Sequence, residues 1–291
     1  MVMSMGIRNL FDEYLSFIIK AIREGWDKDK VKDHLFKERV DRNTPSEFYT
    51  KISQYNNARS NVLNRNKQYL EMLKERLKNL GKKIITVDVI VSSRLLCDTS
   101  SPFLWIPDEL GLAWDPILDT PIIPGSEIKG AVAAVVEFEK SSELRNILFG
   151  GKLAKTEFVD MKSLIDFTDA YPIDSKGEIL ERDVMTPIYA REIEEHKASP
   201  TPVKFYVIKQ GVKFEFIILI DRLRLNKLLE NKNYREILVR NGIKITSVDD
   251  VLNSLIEILE KIVKKAFNQW GIGSKTSSGY GIFEEIQISR S

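Results

Sequence analysis

Apolar residues recur at helical spacing through the first quarter of the chain. Those in Ile7–Glu24 fall on one face of a helix, and those in Val62–Leu80 repeat the pattern in a segment rich in Asn and Lys. Gly81 follows the second set, as a C-terminal helix cap does. We therefore predict a helical N-terminal extension over residues 1–83, with a domain boundary near Gly81.

After Gly81 the period changes from helical to alternating. β-branched residues alternate through Ile84–Leu96, which predicts a strand that enters a core. Later apolar segments predict, in order, a helix, a strand, a helix and a final strand over Ile123–Glu139, Leu164–Thr168, Val251–Phe267 and Ile282–Ile288. Two further strands, 203–208 and 212–220, flank Lys209-Gln210-Gly211 and predict a β-hairpin.

The order of these elements predicts the fold. Without its insertions, the domain 84–291 reads strand, helix, strand, strand, helix, strand, with an irregular acidic excursion before residue 203. This is the order of a ferredoxin-like (RRM-like) βαββαβ core, so we predict an α+β fold. Many RNA-binding modules share this topology, although topology alone does not establish a function.

Composition excludes several classes of protein. With 43% hydrophobic and 30% charged residues among 291, the chain is globular rather than disordered. No apolar run approaches the ~20 residues that cross a bilayer, and no signal peptide is recognisable, so we expect a cytoplasmic protein without membrane partners. Cys97 is the only cysteine, and His34 and His196 are far apart, so we predict no metal site and no cofactor. High Lys, Glu and Ile contents resemble thermophile and archaeal usage.

The net charge of +2 conceals two segments of opposite sign. Residues 41–83 contain ten cations and four anions, and residues 155–196 contain five cations and eleven anions. The basic segment could face phosphate, whereas the acidic one repels RNA and suits a basic neighbouring subunit. The alternative is that both segments are solvated faces.

A glycine-rich segment precedes the last strand. Gly271–Gly281, GIGSKTSSGYG, contains four glycines, three serines, Thr276 and Lys275. Glycine lets backbone N–H groups approach an oxyanion, and the hydroxyls and Lys275 add donors and charge. The segment does not fit the nucleotide-binding P-loop motif, because Ser274 rather than glycine precedes Lys275 and the order is helix to strand. The alternative is a turn that needs glycine only for its own conformation.

The motif PGSEIKGA predicts a second anion-binding feature at a helix start. Gly125 allows a tight turn, Ser126 can cap the helix, and the first N–H groups attract anions. Lys129 in this turn is unfavourable unless a negative group is nearby. A capped helix with a surface lysine is the alternative.

Five motifs in this order resemble the RAMP superfamily. They are IPGSEIKGA, DAYP, DVMTPIY, SPTPVKFYVIKQG and GIGSKTSSGYG, spread from residue 123 to residue 281. More narrowly, these motifs resemble the sixth subunits of type III-B CRISPR (Cmr) effector complexes. The resemblance covers roughly residue 84 to the C-terminus.

The resemblance implies an architectural subunit that contacts guide RNA on its 3′ side and target RNA. It also implies contacts with other Cmr backbone and capping subunits. The nuclease activities are expected to reside in other subunits of the complex. It implies a thumb-like insertion over about residues 172–202, with Met185 as an apolar wedge between bases. The residues expected to contact RNA backbone are Gly125, Ser126, Lys129, Gly271, Gly273, Ser274, Lys275, Thr276, Gly279 and Gly281. Ile188 stands where a histidine is expected after Thr-Pro, and the loop LLCDTSS lacks expected glycines.

Two other functions remain open at this point. One is a metal-independent RAMP endoribonuclease that processes CRISPR transcripts, which needs a general acid and base near neutral pKa. Its candidates are His34 and His196, both expected to be solvated, and Asp98 in the loop after the first strand. The other is a protein-only scaffold that contacts no RNA. We predict no catalytic residue.

Overall fold

A computed structural model describes residues 9–41, 46–104, 110–152, 160–186 and 202–290. It has helices and sheets, as expected for the predicted α+β class. In these ranges, none of the helices combines the length and the apolar character that a membrane span requires. Residues 187–201 lie outside the described ranges. They include Ile188 and His196, which the sequence analysis singled out.

Within the described residues, four helices precede the first strand. Apolar residues at helical spacing bury one side of the first helix, and the Asn9 side chain caps its N-terminus by accepting from two backbone N–H groups. Side chains of the N-terminal helices belong to the same hydrophobic cluster as the residues of the later strands. The four helices are α1 (Leu10–Arg23), α2 (Lys28–Phe36), α3 (Glu47–Asn57) and α4 (Arg59–Asn79).

The main sheet contains five strands within the described residues, and every pairing is antiparallel. The strands are β1 (Lys83–Val91), β6 (Ile165–Phe167), β7 (Tyr171–Ser175), β10 (Val212–Ile220) and β11 (Phe283–Arg290). Along the sheet the order is β11, β1, β10, β6, and β7 also pairs with β10. Residues on β1 alternate between the core and the opposite face, which agrees with the predicted strand.

Two helices predicted from apolar spacing pack on one face of this sheet. They are α5 (Gly125–Glu139) and α9 (Val248–Lys265), and the latter continues into a π-helical turn, Ala266–Trp270. Phe216 of β10 stacks on Phe267 of this turn with centroids 5.4 Å apart. The remaining helices are α6 (Ser142–Phe149), α7 (Arg222–Glu230) and α8 (Lys232–Arg240), which the sequence pattern did not predict.

The second face of the sheet is covered by α4. Its apolar residues Leu73 and Leu77 pack on a small cluster formed by Ile84, Ile217 and Leu219. Leu70, one turn earlier, packs against β7. RRM modules stack RNA bases on this face of the sheet. In this chain the corresponding surface is occupied by a helix of the same chain.

The predicted hairpin between residues 203 and 220 is wrong in its pairing. Both strands form, but β9 (Val203–Ile208) pairs with β8 (Leu180–Met185) in a separate two-stranded sheet, whereas β10 pairs with β1. At the turn, the Lys209 N–H donates to Ile179 O and the Gly211 N–H to Val91 O, so the chain passes from one sheet to the other. A short turn favours a hairpin only where the two strands lack better partners.

The acidic excursion is regular where it is described. Its first part forms β7 of the main sheet, and β8 follows. Asn56 of α3 holds the start of β8, because its carboxamide oxygen accepts from the Ile179 and Leu180 N–H groups and its amide donates to Leu180 O. Short paired strands elsewhere are β2 (Trp114–Asp115) with β3 (Thr120–Pro121), and β4 (Gly151–Lys152) with β5 (Asp160–Met161).

Candidate nucleic-acid interface

The glycine loop, residues 271–281, connects the π-helical turn to β11. Two of its glycines are required by close packing. A Cβ at Gly281 would lie 2.0 Å from Ile272 O, and one at Gly273 would lie 2.5 Å from Leu96 O. Both residues also have positive φ, which side chains disfavour. The loop therefore needs these two glycines for its own conformation, which was the alternative interpretation of this segment.

Backbone hydrogen bonds anchor this loop to the segment that follows β1. The Ser274 N–H donates to Leu96 O at 2.7 Å, and the Gly281 N–H donates to Arg94 O at 2.8 Å. The short 3₁₀ turn Thr276–Ser278 lies between these anchors. A fixed loop loses little conformational entropy when a ligand binds.

Several N–H groups of the loop remain available. Those of Gly273, Lys275, Thr276 and Ser277 have no acceptor among the described residues. Lys275 adopts a left-handed conformation with φ 62°, which is strained for a residue with a Cβ. Such a run of N–H groups, with a lysine beside it, is suited to an oxyanion.

The start of α5 differs from the prediction. The helix begins at Gly125 after Pro124, and Ser126 is exposed and does not cap it. Instead, the Asp169 carboxylate accepts the Gly125 N–H at 2.7 Å. A Cβ at Gly125 would lie 2.5 Å from Phe167 O, so close packing explains this glycine. Because Asp169 already supplies negative charge, Lys129 does not by itself require an external anion.

The two predicted segments meet on either side of one short stretch, Leu96–Asp98. On one side, Gly273 packs on Leu96 and Cys97. On the other, Glu127 of α5 accepts the Asp98 N–H at 2.9 Å and faces the Cys97 thiol. Burial raises the pKa of the Glu127 carboxyl and, well above its usual value, that of the Cys97 thiol. The glycine loop and the start of α5 thus lie in one region.

A polar network that the sequence did not reveal joins the glycine loop to β8. The Tyr280 hydroxyl donates to the carboxylate of Asp183, which is buried. The Arg94 guanidinium lies 3.0 Å from both Asp183 oxygens and 3.0 Å from Glu181. Burial and the Asp183 carboxylate raise the pKa of Tyr280 to about 12. Arg94, the pair Glu181 and Asp183, and Tyr280 are far apart in sequence, so no local motif could have indicated the network.

Met185 ends β8 opposite Val203. It is half-buried and packs against the main hydrophobic cluster. The residues that would form the tip of the thumb-like insertion lie outside the described ranges. The structure therefore describes the base of the insertion, as the paired strands β8 and β9.

The residues considered for acid–base catalysis are dispersed. His34 is half-buried, with its ring centroid 4.5 Å from that of Trp26, rather than solvated as expected. Asp98 has a φ of 45° and accepts from the Ser100 hydroxyl at 2.8 Å. The region 9–290, apart from its gaps, holds no group of three or more His, Cys, Asp or Glu side chains suited to a metal ion.

Comparison with known proteins identifies the family. Residues 96–284 match the model of the RAMP superfamily. The chain belongs to the RAMP superfamily. The matched range contains α5, the Asp183–Tyr280 pair and the glycine loop.

Two relatives are informative. The CRISPR system CMR subunit Cmr6 of Saccharolobus solfataricus (strain P2) is 28% identical over 222 residues, which are 76% of this chain and 65% of that protein. The chain thus matches slightly less than two thirds of that relative's length. A solved structure of the type III-B Cmr-beta bound to cognate target RNA contains a chain of the same fold, with 22% identity, a TM-score of 0.59, and coverage of 97% of this chain and 93% of that chain.

Proposed function

We propose that this RAMP protein is a non-catalytic, RNA-binding subunit of a type III-B CRISPR effector complex. The observation that carries the proposal is the anchored glycine loop, whose free N–H groups and Lys275 lie beside the start of α5. The similarity to a Cmr subunit and to a chain of a Cmr complex supports this function. Its partners would be guide RNA on the 3′ side, target RNA and neighbouring Cmr subunits, in the cytoplasm.

We infer further that residues 84–291 form a ferredoxin-like core and residues 1–83 an extension packed on it. In chain order, β1, α5, β6, β10, α9 and β11 follow the βαββαβ sequence of elements. Their order across the sheet is fourth, first, third, second. The face that RRM modules use is covered by α4, which favours RNA binding by loops rather than by the sheet.

We propose RNA contacts at three places, which are the glycine loop, the start of α5 and the thumb-like insertion. The glycine loop would bind phosphate through Gly273, Ser274, Lys275 and Thr276, while Gly271, Gly279 and Gly281 shape the loop. Gly125, Ser126 and Lys129 would contact the same RNA strand. The insertion over about residues 172–202 would act as a thumb, with Met185 near its base.

The absence of catalysis is part of the proposal. His34, the histidine inside the described ranges, packs its ring on Trp26. Tyr280, the tyrosine at the loop, has a pKa of about 12, which is too high for a general base near neutral pH.

Charge reversal at Lys275 tests the proposal. In a reconstituted complex, Lys275→Glu should lower guide-RNA retention about tenfold, equivalent to about 1.4 kcal/mol, because the carboxylate repels phosphate. Lys275→Arg should retain RNA. Lys261 is an exposed lysine of α9, and Lys261→Glu serves as the matched control for a general change in charge.

RNA retention is measured by the ratio of RNA to protein in the purified complex at several salt concentrations. Wild-type retention should fall with salt, and the Lys275→Glu variant should show a shallower dependence. Equal retention by Lys275→Glu and Lys261→Glu would contradict the proposal. Specific RNA cleavage by the purified chain, lost in Asp98→Ala, would favour the endoribonuclease.

A further inference from the structure

The helical pair α7–α8 is inserted between the third strand and the second helix of the core. Residues 221–244, which contain this pair, hold seven cations and three anions. On its inner side, α8 buries Ile237 and Leu238. Its outer side forms part of a shallow groove of about 570 Å³.

The groove combines cations with exposed apolar surface. Its lining consists of Lys232, Arg235, Glu236, Val239, Arg240 and Ile245. Val239 is 58% exposed and gives the groove an apolar surface. Lys232, Glu236 and Arg240 form one row along α8, and Arg235 and Val239 form the adjacent row.

The cations of the groove make only weak ion pairs within the chain. Lys232 lies 4.0 Å from Glu236, and Arg240 lies 3.8 Å from Glu143, both at the limit of an ion pair. Arg235 has no acidic partner among the described residues. Exposed pairs at these distances contribute little to stability, so all three cations can pair with carboxylates of another molecule.

We propose that this groove docks an acidic segment with an apolar anchor from a neighbouring protein subunit. The anchor would cover Val239 and Ile245, and its carboxylates would pair with Arg235, Lys232 and Arg240. Glu236 inside the groove repels the closely spaced phosphates of a nucleic-acid backbone, whereas a peptide can place an apolar or amide group there. Apolar burial at the centre with charged pairs at the rim is the usual anatomy of a protein interface. The proposal rests on the proposed membership of a complex.

Zero-length cross-linking of the assembled complex tests this surface. Carbodiimide joins the amine of Lys232, which is 84% exposed, to a carboxylate in contact with it. The expected result is a cross-link from Lys232 to an Asp or Glu of another subunit, identified by mass spectrometry. Lys227, an exposed lysine of α7 outside the groove, is the internal control and should give at least tenfold less intersubunit product.

Two groove variants and one control variant show whether the groove causes the cross-link. Val239→Asp and Arg235→Glu should each lower it at least fivefold, because they remove the apolar floor or reverse the charge. Leu223→Asp, which changes an exposed leucine of α7, should leave it unchanged. RNA retention is measured in the same samples and should not change in any of these variants.

Three results would overturn the proposal. They are a Lys232 product that is no greater than that of Lys227, a Lys232 product that survives Val239→Asp and Arg235→Glu, and ultraviolet cross-linking of α8 to RNA, which would make the groove a nucleic-acid site. Failure of the RNA proposal is distinguishable, because it is read from RNA retention in Lys275→Glu while the Lys232 product remains.

Discussion

Gly281 illustrates how one residue can be explained by structure rather than by ligand binding. Its Cβ position is filled by the carbonyl oxygen of Ile272, so the loop closes only with glycine there. Gly279, two residues earlier, has open space around the same position. The sequence could show that both are glycines, but it could not show which one packing requires.

Substitution of these two glycines should therefore give different results. We expect Gly281→Ala to lower the free energy of unfolding by roughly 2–3 kcal/mol, the upper range for single substitutions. Gly279→Ala should cost about 1 kcal/mol, because only its positive φ of 86° opposes a side chain. Urea unfolding of both variants measures this difference, and equal effects would contradict the packing argument.

Glu127 should make stability depend on pH. Burial raises the pKa of its carboxyl in the folded state above the ordinary value of 4.5. The folded protein therefore binds this proton more tightly than the unfolded chain does. The contribution of the protonated Glu127 carboxyl to the free energy of unfolding is fully present below pH 4.5 and is lost as the pH rises through the raised pKa. Glu127→Gln keeps an acceptor for the Asp98 N–H but cannot titrate.

The measurement is urea unfolding of wild type and Glu127→Gln over a series from about pH 4 to about pH 7. Relative to the variant, wild type should become less stable as the pH rises. A stability difference that does not change with pH would show that the Glu127 carboxyl titrates normally.

Helix α4 shows at the scale of elements what the sequence pattern could and could not predict. Its period of apolar residues predicted a helix over Val62–Leu80, and the structure has a helix over Arg59–Asn79. Periodicity does not specify which surface the helix covers. Its contact with the second face of the sheet depends on residues of β1 and β10 that are distant in sequence.

Truncation of the buried side of α4 should destabilise the protein. Leu70 is 1% exposed and packs with Tyr171 and Ile173, so Leu70→Ala should cost about 2–4 kcal/mol. Met72 on the same helix is 45% exposed, and Met72→Ala should stay within about 0.5 kcal/mol. Thermal unfolding compares them. Similar small effects for both variants would mean that α4 is not packed on the sheet.

The strands show the same division between local and distant information. The bounds of β9 and β10 agree with the predicted strands, but the predicted pairing was wrong. Pairing depends on competition with β8 and β1, which lie elsewhere in the chain. Helices α6, α7 and α8 were missed because they are short, and α7 and α8 are rich in charged residues.

At the scale of the whole molecule, two candidate surfaces are built from different elements. The glycine loop and the start of α5 share the segment Leu96–Asp98, whereas the groove belongs to the inserted pair α7–α8 and the residues that follow it. The sequence predicted both parts of the first surface as separate motifs. That they flank one segment, and that Arg94, Asp183 and Tyr280 tie the loop to β8, follows only from the folded structure.

The central claim is that the glycine loop contacts RNA in the assembled complex. The most direct measurement is ultraviolet cross-linking of a reconstituted complex that contains 4-thiouridine-substituted guide RNA, followed by mass spectrometry of the cross-linked peptides. We predict cross-linked peptides that include residues 271–281, together with residues 125–129. Cross-links found only elsewhere in this chain, with both segments unmodified, would contradict it.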